Sequence, residues 1–367
     1  MAENLIDDFR KQIDSIDQNI IENLSRRTEI VLKIGEIKKQ DKNAVYHPAR
    51  EIEIFNRIEE INKNSKFPSP VLIQIYREII SACRALEKRL CIGYFGPQAT
   101  HTHQAAIHQF GSSCDFIAFR TVADVFKEVE LGKVNYGVVP VENSTEGAVN
   151  HTLDMFITSS LHIYAEQYMP IHQYLLSVCP DLSSIKRIYS HPQALAQCRL
   201  WIENNLPHAE LSETSSTSEA VKVCLWDKYS SAVAGRIASE LHPEIKILAE
   251  NIEDNPSNNT RFLVIARKDC AIRSANDKTS LLFAVKDQAG ALSRVLNIFS
   301  QNNINLNKIE SRPSRKKAWE YLFYVDVDGH RSDPHLREVF QAVEKETVFM
   351  KILGSYPKAR ITVEEIS

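Results

Sequence analysis

Arg10, Arg27 and Lys38 lie on one helical stretch, and the last two fall where an apolar residue is expected. Phe9, Ile13, Ile16, Ile20, Leu24, Val31 and Ile34 recur at helical spacing. At about 100° per residue, Arg27 and Lys38 project into that stripe. One long cation in a seam can snorkel to water. Two are costly unless paired, which points to a bundle interior that holds an anion. Arg10 and Arg27 are 17 residues apart, roughly 25 Å along a helix, so both cannot grip one small molecule within one chain. A helix of roughly 55 Å also outruns two shorter partners. An intertwined homodimer or higher homo-oligomer, with Arg10 reaching the partner's site, meets both constraints.

Arg50-Glu51 opens a second helix, with Glu51 in line with Phe55 and Ile58. A third carries Cys83 in its seam and Glu87 one turn on. Further along, Glu142-Asn143-Ser144-Thr145 follows the apolar run Tyr136–Val139. Ser190-His191-Pro192 ends another run, with Gln197 one turn into the helix after it. Thr260-Arg261-Phe262 opens a third. Each reads equally as a helix cap, a strand-to-helix turn or an ordinary strand start. Strand ends in open α/β sheets are also where ligands bind.

The elements behind these residues change character along the chain. Residues 4–40, 49–62 and 71–90 read as helices, with Phe67-Pro68-Ser69-Pro70 as a break. From Cys91 to about Lys268, short apolar runs alternate with helical stretches, an α/β pattern. Residues 269–278 read as a polar linker. Strands near 280–286, 304–311, 319–326 and 349–355, with helices between, give a βαββαβ order. The predicted domains are 1–90, 91–270 and 278–367, each of a different fold class: all-α, α/β and α+β.

Composition narrows function. The 367 residues are 25% charged with formal net charge −3, which offers no electrostatic case for nucleic acid. No apolar run approaches the roughly 18 residues of a membrane span, and the first residues lack a signal pattern, so a cytoplasmic protein is expected. Seven cysteines without Cys-x-x-Cys indicate neither a disulfide framework nor a zinc ribbon. Thr100-His101-Thr102-His103 has no carboxylate or cysteine at ligand spacing, so no metal is expected. Neither a P-loop nor a Rossmann fingerprint occurs, so no nucleotide cofactor is expected.

Residues 5–90, through FRKQIDSIDQNI, LSRRTEIVLKIGEIK, VYHPARE and REIISACRALEK, resemble the all-helical chorismate mutases. The resemblance implies that Arg10, Arg27, Lys38, His47, Arg50, Glu51, Cys83 and Glu87 line a site for chorismate. Some relatives have Gln at position 87. Residues 91–268, through IGYFGPQ, GVVPVENSTEGAVNHTLD, IYSHPQALAQC and NNTRFLVI, resemble prephenate dehydratase. That implies two periplasmic-binding-protein-like lobes, with Glu142, Asn143, Ser190, Gln197, Thr260, Arg261 and Phe262 in the cleft. Thr260 is the first candidate to protonate or position the ring hydroxyl of prephenate, with Glu142 as the alternative acid. Arg261 would hold a carboxylate. Relatives have Gly at Ala99 and an aromatic residue at His101. The last unit, through QAGAL, INLNKIESRP and LGSYP, resembles the ACT domain of prephenate dehydratases, a ferredoxin-like fold. Its implied effector is L-phenylalanine, held between two such domains by Gly290, Ala291, Leu292, Asn305, Leu306, Glu310, Ser311, Arg312 and Pro313.

Overall fold

A computed structural model describes residues 2–41, 45–270, 272–313 and 321–359; the side chains of residues 2 and 38–41 lie outside the described part. The chain opens with helices α1 (Ala2–Asp41), α2 (Pro48–Asn62) and α3 (Ser69–Glu87). Helix α1 runs 40 residues, about 60 Å, whereas α3 with 19 spans only about 28 Å. The length mismatch shows on the surface. Phe9, Ile13, Ile16 and Ile20 are 51–57% exposed, so none of the described residues covers the first half of the stripe. The second half packs on α3. Gly35 is buried there, and a Cβ on it would stand 2.7 Å from Glu87 Cγ.

Two compact units divide the chain. The first is largely the helical region. The second takes Pro48–Glu53 and most of the chain from Cys91 onward. Its first lobe contains β1 (Cys91–Phe95), α4 (His101–Phe110), β2 (Asp115–Phe119), α5 (Val122–Glu130), β3 (Tyr136–Asn143), β4 (Gly147–Ala148), α6 (Asn150–Thr158) and β5 (His162–Pro170). The chain then crosses to a second lobe. That lobe has β6 (Tyr174–Ser177), β7 (Arg187–Ser190), α7 (Pro192–Gln197), α8 (Arg199–Asn205), β8 (Glu210–Glu213), α9 (Thr217–Cys224), β9 (Ser230–Ala234), α10 (Ile237–Leu241) and β10 (Lys246–Ala249). It returns as β11 (Asn259–Ala266), which inserts between β3 and β5. The sheet orders are β2-β1-β3-β11-β5, with β4 on β3, and β10-β6-β9-β7-β8.

Two crossovers therefore join the lobes, and a charged residue ties them. Glu253 on the return accepts from the Gln173 amide at 2.8 Å and pairs with His172 Nδ1 at 2.7 Å. The Glu253 hydrogen bond raises the His172 pKa. Burial alone would raise that of Glu253, but the bonds from His172 and Gln173 outweigh it and lower it. The stability His172 contributes is thus present at acid pH and is lost as pH rises through its raised value.

Ala99 has φ +68°, in the left-handed region that disfavours a Cβ by about 1–2 kcal/mol. This is the position where the resemblance implies glycine. Ala99→Gly is expected to stabilise the fold by up to about 1 kcal/mol, after the entropy glycine gains in the unfolded chain. A thermal melt that shows no rise would refute this.

The C-terminal sheet comprises β12 (Asp277–Ala284), β13 (Leu306–Pro313), β14 (Tyr321–Asp328) and β15 (Phe349–Pro357), ordered β13-β14-β12-β15. Helices α11 (Ala291–Gln301) and α12 (Pro334–Glu346) complete the βαββαβ unit. Leu281, Phe283, Val325 and Val327 pack on the two helices. Leu282, Ala284, Tyr324 and Leu353 instead join the core of the first lobe. A strand buried on both faces loses its alternation, which is why Ser280–Ala284 reads as a continuous run. The first strand starts at Asp277, inside the stretch read from sequence as linker. Asp277 and Lys278 are buried and polar, and that disguised the strand.

Strand β15 lies against β5. A Cβ on Gly354 would fall 2.1 Å from the Ile163 carbonyl oxygen. Backbone cannot yield as a side-chain tip can, so Gly354→Ala is expected to destabilise by about 3 kcal/mol or more. A melting temperature within a degree of wild type would contradict that.

Candidate active sites and effector strand

In the helical unit, Arg27 and Cys83 meet, with Arg27 Nη1 2.9 Å from the sulfur. Glu87 lies half-buried against Gly35. Arg10 is exposed and pairs with Asp7 at 3.3 Å, in the half of α1 that the described residues leave uncovered. Arg50, also exposed, pairs with Glu53 at 2.8 Å, while Glu51 is half-buried. His47 is the N-cap of α2 without a side-chain cap bond. The Lys38 side chain is outside the described residues.

The dehydratase-like residues divide by face. Strands β3 and β11 are antiparallel, with Thr260 opposite Asn143 and Arg261 opposite Glu142. Asn143 Nδ2 donates to Thr260 Oγ1 at 2.9 Å and to Asn258 Oδ1 at 2.8 Å. Its Oδ1 accepts the amides of Thr145 and Glu146 at 3.0 and 3.1 Å. Amides can only donate, so they determine which end of Asn143 faces Thr260. With a lone pair of Thr260 Oγ engaged, its own proton is free for another acceptor. Across the lobes, Gln197 Nε2 donates to Glu146 Oε1 at 3.2 Å, and Gln173 Nε2 donates to Gln197 Oε1 at 3.2 Å.

Glu142 and Arg261 correct the sequence reading, because neighbouring strand residues point to opposite faces. Both turn away from Thr260. Arg261, buried, donates from Nε to Glu166 at 2.8 Å, from Nη1 to Asp326 at 2.6 Å and from Nη2 to the Tyr356 hydroxyl at 3.0 Å. Burial alone would weaken its hold on the proton, but Asp326 and Glu166 more than compensate and it stays charged. Burial likewise raises the Asp326 pKa, and Arg261 and Lys278 reverse that, leaving it lowered. Glu142 forms an ion pair with Lys308 at 2.7 Å. The expected acid and carboxylate clamp are therefore engaged with the C-terminal domain. Ser190 also departs from expectation: fully buried, it donates to the Val233 carbonyl at 2.6 Å and braces β7 on β9. Phe262 is buried beyond a bulge in β11. Sequence reasoning missed Asn258, Glu146 and Gln173 as partners. The first two lie inside the segments NNTRFLVI and GVVPVENSTEGAVNHTLD, so their place in those segments was the available signal.

In the C-terminal domain, Gly290 caps α11 with φ +76°, a conformation glycine adopts without strain. Ala291 begins that helix, and Leu292 and Leu306 border the same apolar cluster. Asn305 accepts from the Asp328 amide at 3.1 Å. Glu310, Ser311 and Pro313 lie on edge strand β13. Arg312 leaves the expected effector set: it donates to Asp154 of the first lobe at 2.9 Å.

A helical unit, a two-lobed α/β body with two crossovers and a ferredoxin-like sheet define a multidomain enzyme with an appended regulatory fold. Family models match in the same order. They are chorismate mutase type II over residues 9–88, prephenate dehydratase over 92–270 and the ACT domain over 279–345. The bifunctional chorismate mutase/prephenate dehydratase of Aquifex aeolicus is 46% identical, covering 96% of this chain and 98% of that protein. The prephenate dehydratase from Arthrobacter aurescens in complex with L-Phe has TM-score 0.68 and 34% identity, over 76% of this chain and 93% of that one. GqqA, a quorum-quenching acylase, has TM-score 0.67 at 26% identity over 73% of this chain and 98% of that one, so the fold alone does not dictate the reaction. The chain belongs to the bifunctional chorismate mutase/prephenate dehydratase family. It is an enzyme with an isomerase module, a lyase module and an ACT domain.

Proposed function

We propose that this chain rearranges chorismate to prephenate at the helical site and converts prephenate to phenylpyruvate at Thr260, under inhibition by L-phenylalanine. The observation that carries the second reaction is the Asn143–Thr260 hydrogen bond. Prephenate loses carbon dioxide and hydroxide, and hydroxide leaves well only with a proton supplied. A hydroxyl whose oxygen already accepts from Asn143 is set to donate. Gln197 and Glu146, joined across the lobes, would close around the substrate.

The first reaction is pericyclic, so the site need only hold a compact conformer and stabilise charge on the ether oxygen. Arg10, Arg27 and Arg50 suit the two carboxylates. Lys38 and Glu87 suit the ether oxygen, and Glu51, His47 and Cys83 complete the lining. The exposed apolar half of α1 supports a homodimer in which Arg10 serves the partner's site. Among the described residues no helix is long and apolar enough to cross a membrane, which fits a cytoplasmic enzyme. Phenylalanine would sit between two ACT domains at Gly290–Leu292, Asn305, Leu306 and the exposed residues of β13. The deciding experiment is a coupled assay of the full chain on chorismate. Phenylpyruvate should form and phenylalanine should suppress it. Prephenate accumulating without phenylpyruvate would overturn the dehydratase reading.

A further inference from the structure

The face of the catalytic strand pair turned away from Thr260 is held by the ACT domain. We propose that Lys308 and Asp326 of that domain are positioning residues for the dehydratase site. The proposal rests on reading Thr260 and Asn143 as the reacting pair. Those two lie opposite each other on β11 and β3, and the next pair, Arg261 and Glu142, faces the other way. Holding the second pair therefore sets the orientation of the first. Asp326 reaches Arg261 at 2.6 Å and Lys308 reaches Glu142 at 2.7 Å.

The two anchors differ in mobility. Asp326 lies in the interior strand β14 and is further bound by Ser280, which also meets the Tyr356 hydroxyl at 2.6 Å. Lys308 lies on the edge strand β13, between Leu306 and Glu310 of the expected effector set. A cavity of about 310 Å³ beside these pairs is lined by Glu142, Tyr168, Arg261, Lys278, Lys308 and Asp326. That space lets the Lys308 side chain withdraw from Glu142 without disturbing the core. An effector seated along β13 would then be felt at Glu142 and, one residue on, at Asn143.

The test measures dehydratase kcat and KM on prephenate, mutase activity and phenylalanine response in the full chain. Lys308→Met should lower dehydratase kcat roughly tenfold to a hundredfold, the scale of a misplaced catalytic group. KM should change little, as expected when an interaction acts only in the transition state. Mutase activity should be unchanged, phenylalanine response blunted and Lys308→Arg close to wild type. Asp326→Asn should act in the same direction. If that variant fails to fold, Lys308→Met, at a half-buried edge position, still decides. Wild-type kcat in Lys308→Met, or a loss that Lys308→Arg fails to rescue, overturns the inference. An active Thr260→Ala would instead sink the site reading beneath it.

Discussion

Thr260→Ala is expected to abolish phenylpyruvate formation from prephenate while chorismate is still consumed. The loss should be roughly 10²–10⁴-fold, the usual contribution of a placed proton donor. Asn143 sharpens the expectation. Its amide donates to Thr260 Oγ and its carbonyl is held by two backbone amides, so the Thr260 proton has no claim from Asn143. Asn143→Asp replaces that donor with an acceptor. The Thr260 proton would turn toward the new carboxylate, and the bond to Asn258 Oδ1 would be lost. Asn143→Asp should therefore cost nearly as much as Thr260→Ala, and Thr260→Ser should keep most of the activity. Steady-state rates on prephenate, with the mutase rate as folding control, check all three. Thr260→Ala within a few-fold of wild type would remove the assignment.

The second large effect concerns Glu87. A glutamate can donate to the ether oxygen only when protonated. Mutase turnover is therefore expected to fall as pH rises. Glu87→Gln supplies a donor that does not titrate, so its profile should be flat and its activity at high pH above wild type. Gly35 makes the geometry specific: it leaves room for the Glu87 side chain that any Cβ there would contest. Chorismate disappearance across the pH range, for both forms, is the measurement. Parallel profiles would mean that Glu87 is not the donor.

Much of this was legible in sequence because it rests on local patterning. The three helices follow apolar spacing and the breaks at Pro48 and Phe67–Pro70, and the excess length of α1 follows from counting residues. Thr260 and Asn143 were legible as motif residues after strands. Their hydrogen bond was not, since it needs a register between segments 117 residues apart. The same register inverted Glu142 and Arg261. One residue along a strand changes the face, and the sequence carries no mark of which face meets a neighbouring domain. The start of β12 was hidden for a related reason: Asp277 and Lys278 look solvent-bound until a partner such as Glu166 is placed 2.9 Å from Lys278. Local order, periodicity and residue chemistry were thus properties of the chain alone. Which charges are buried, what pairs them and which side chains face the cleft were decided only by tertiary packing, because burial and pairing depend on residues far apart in sequence.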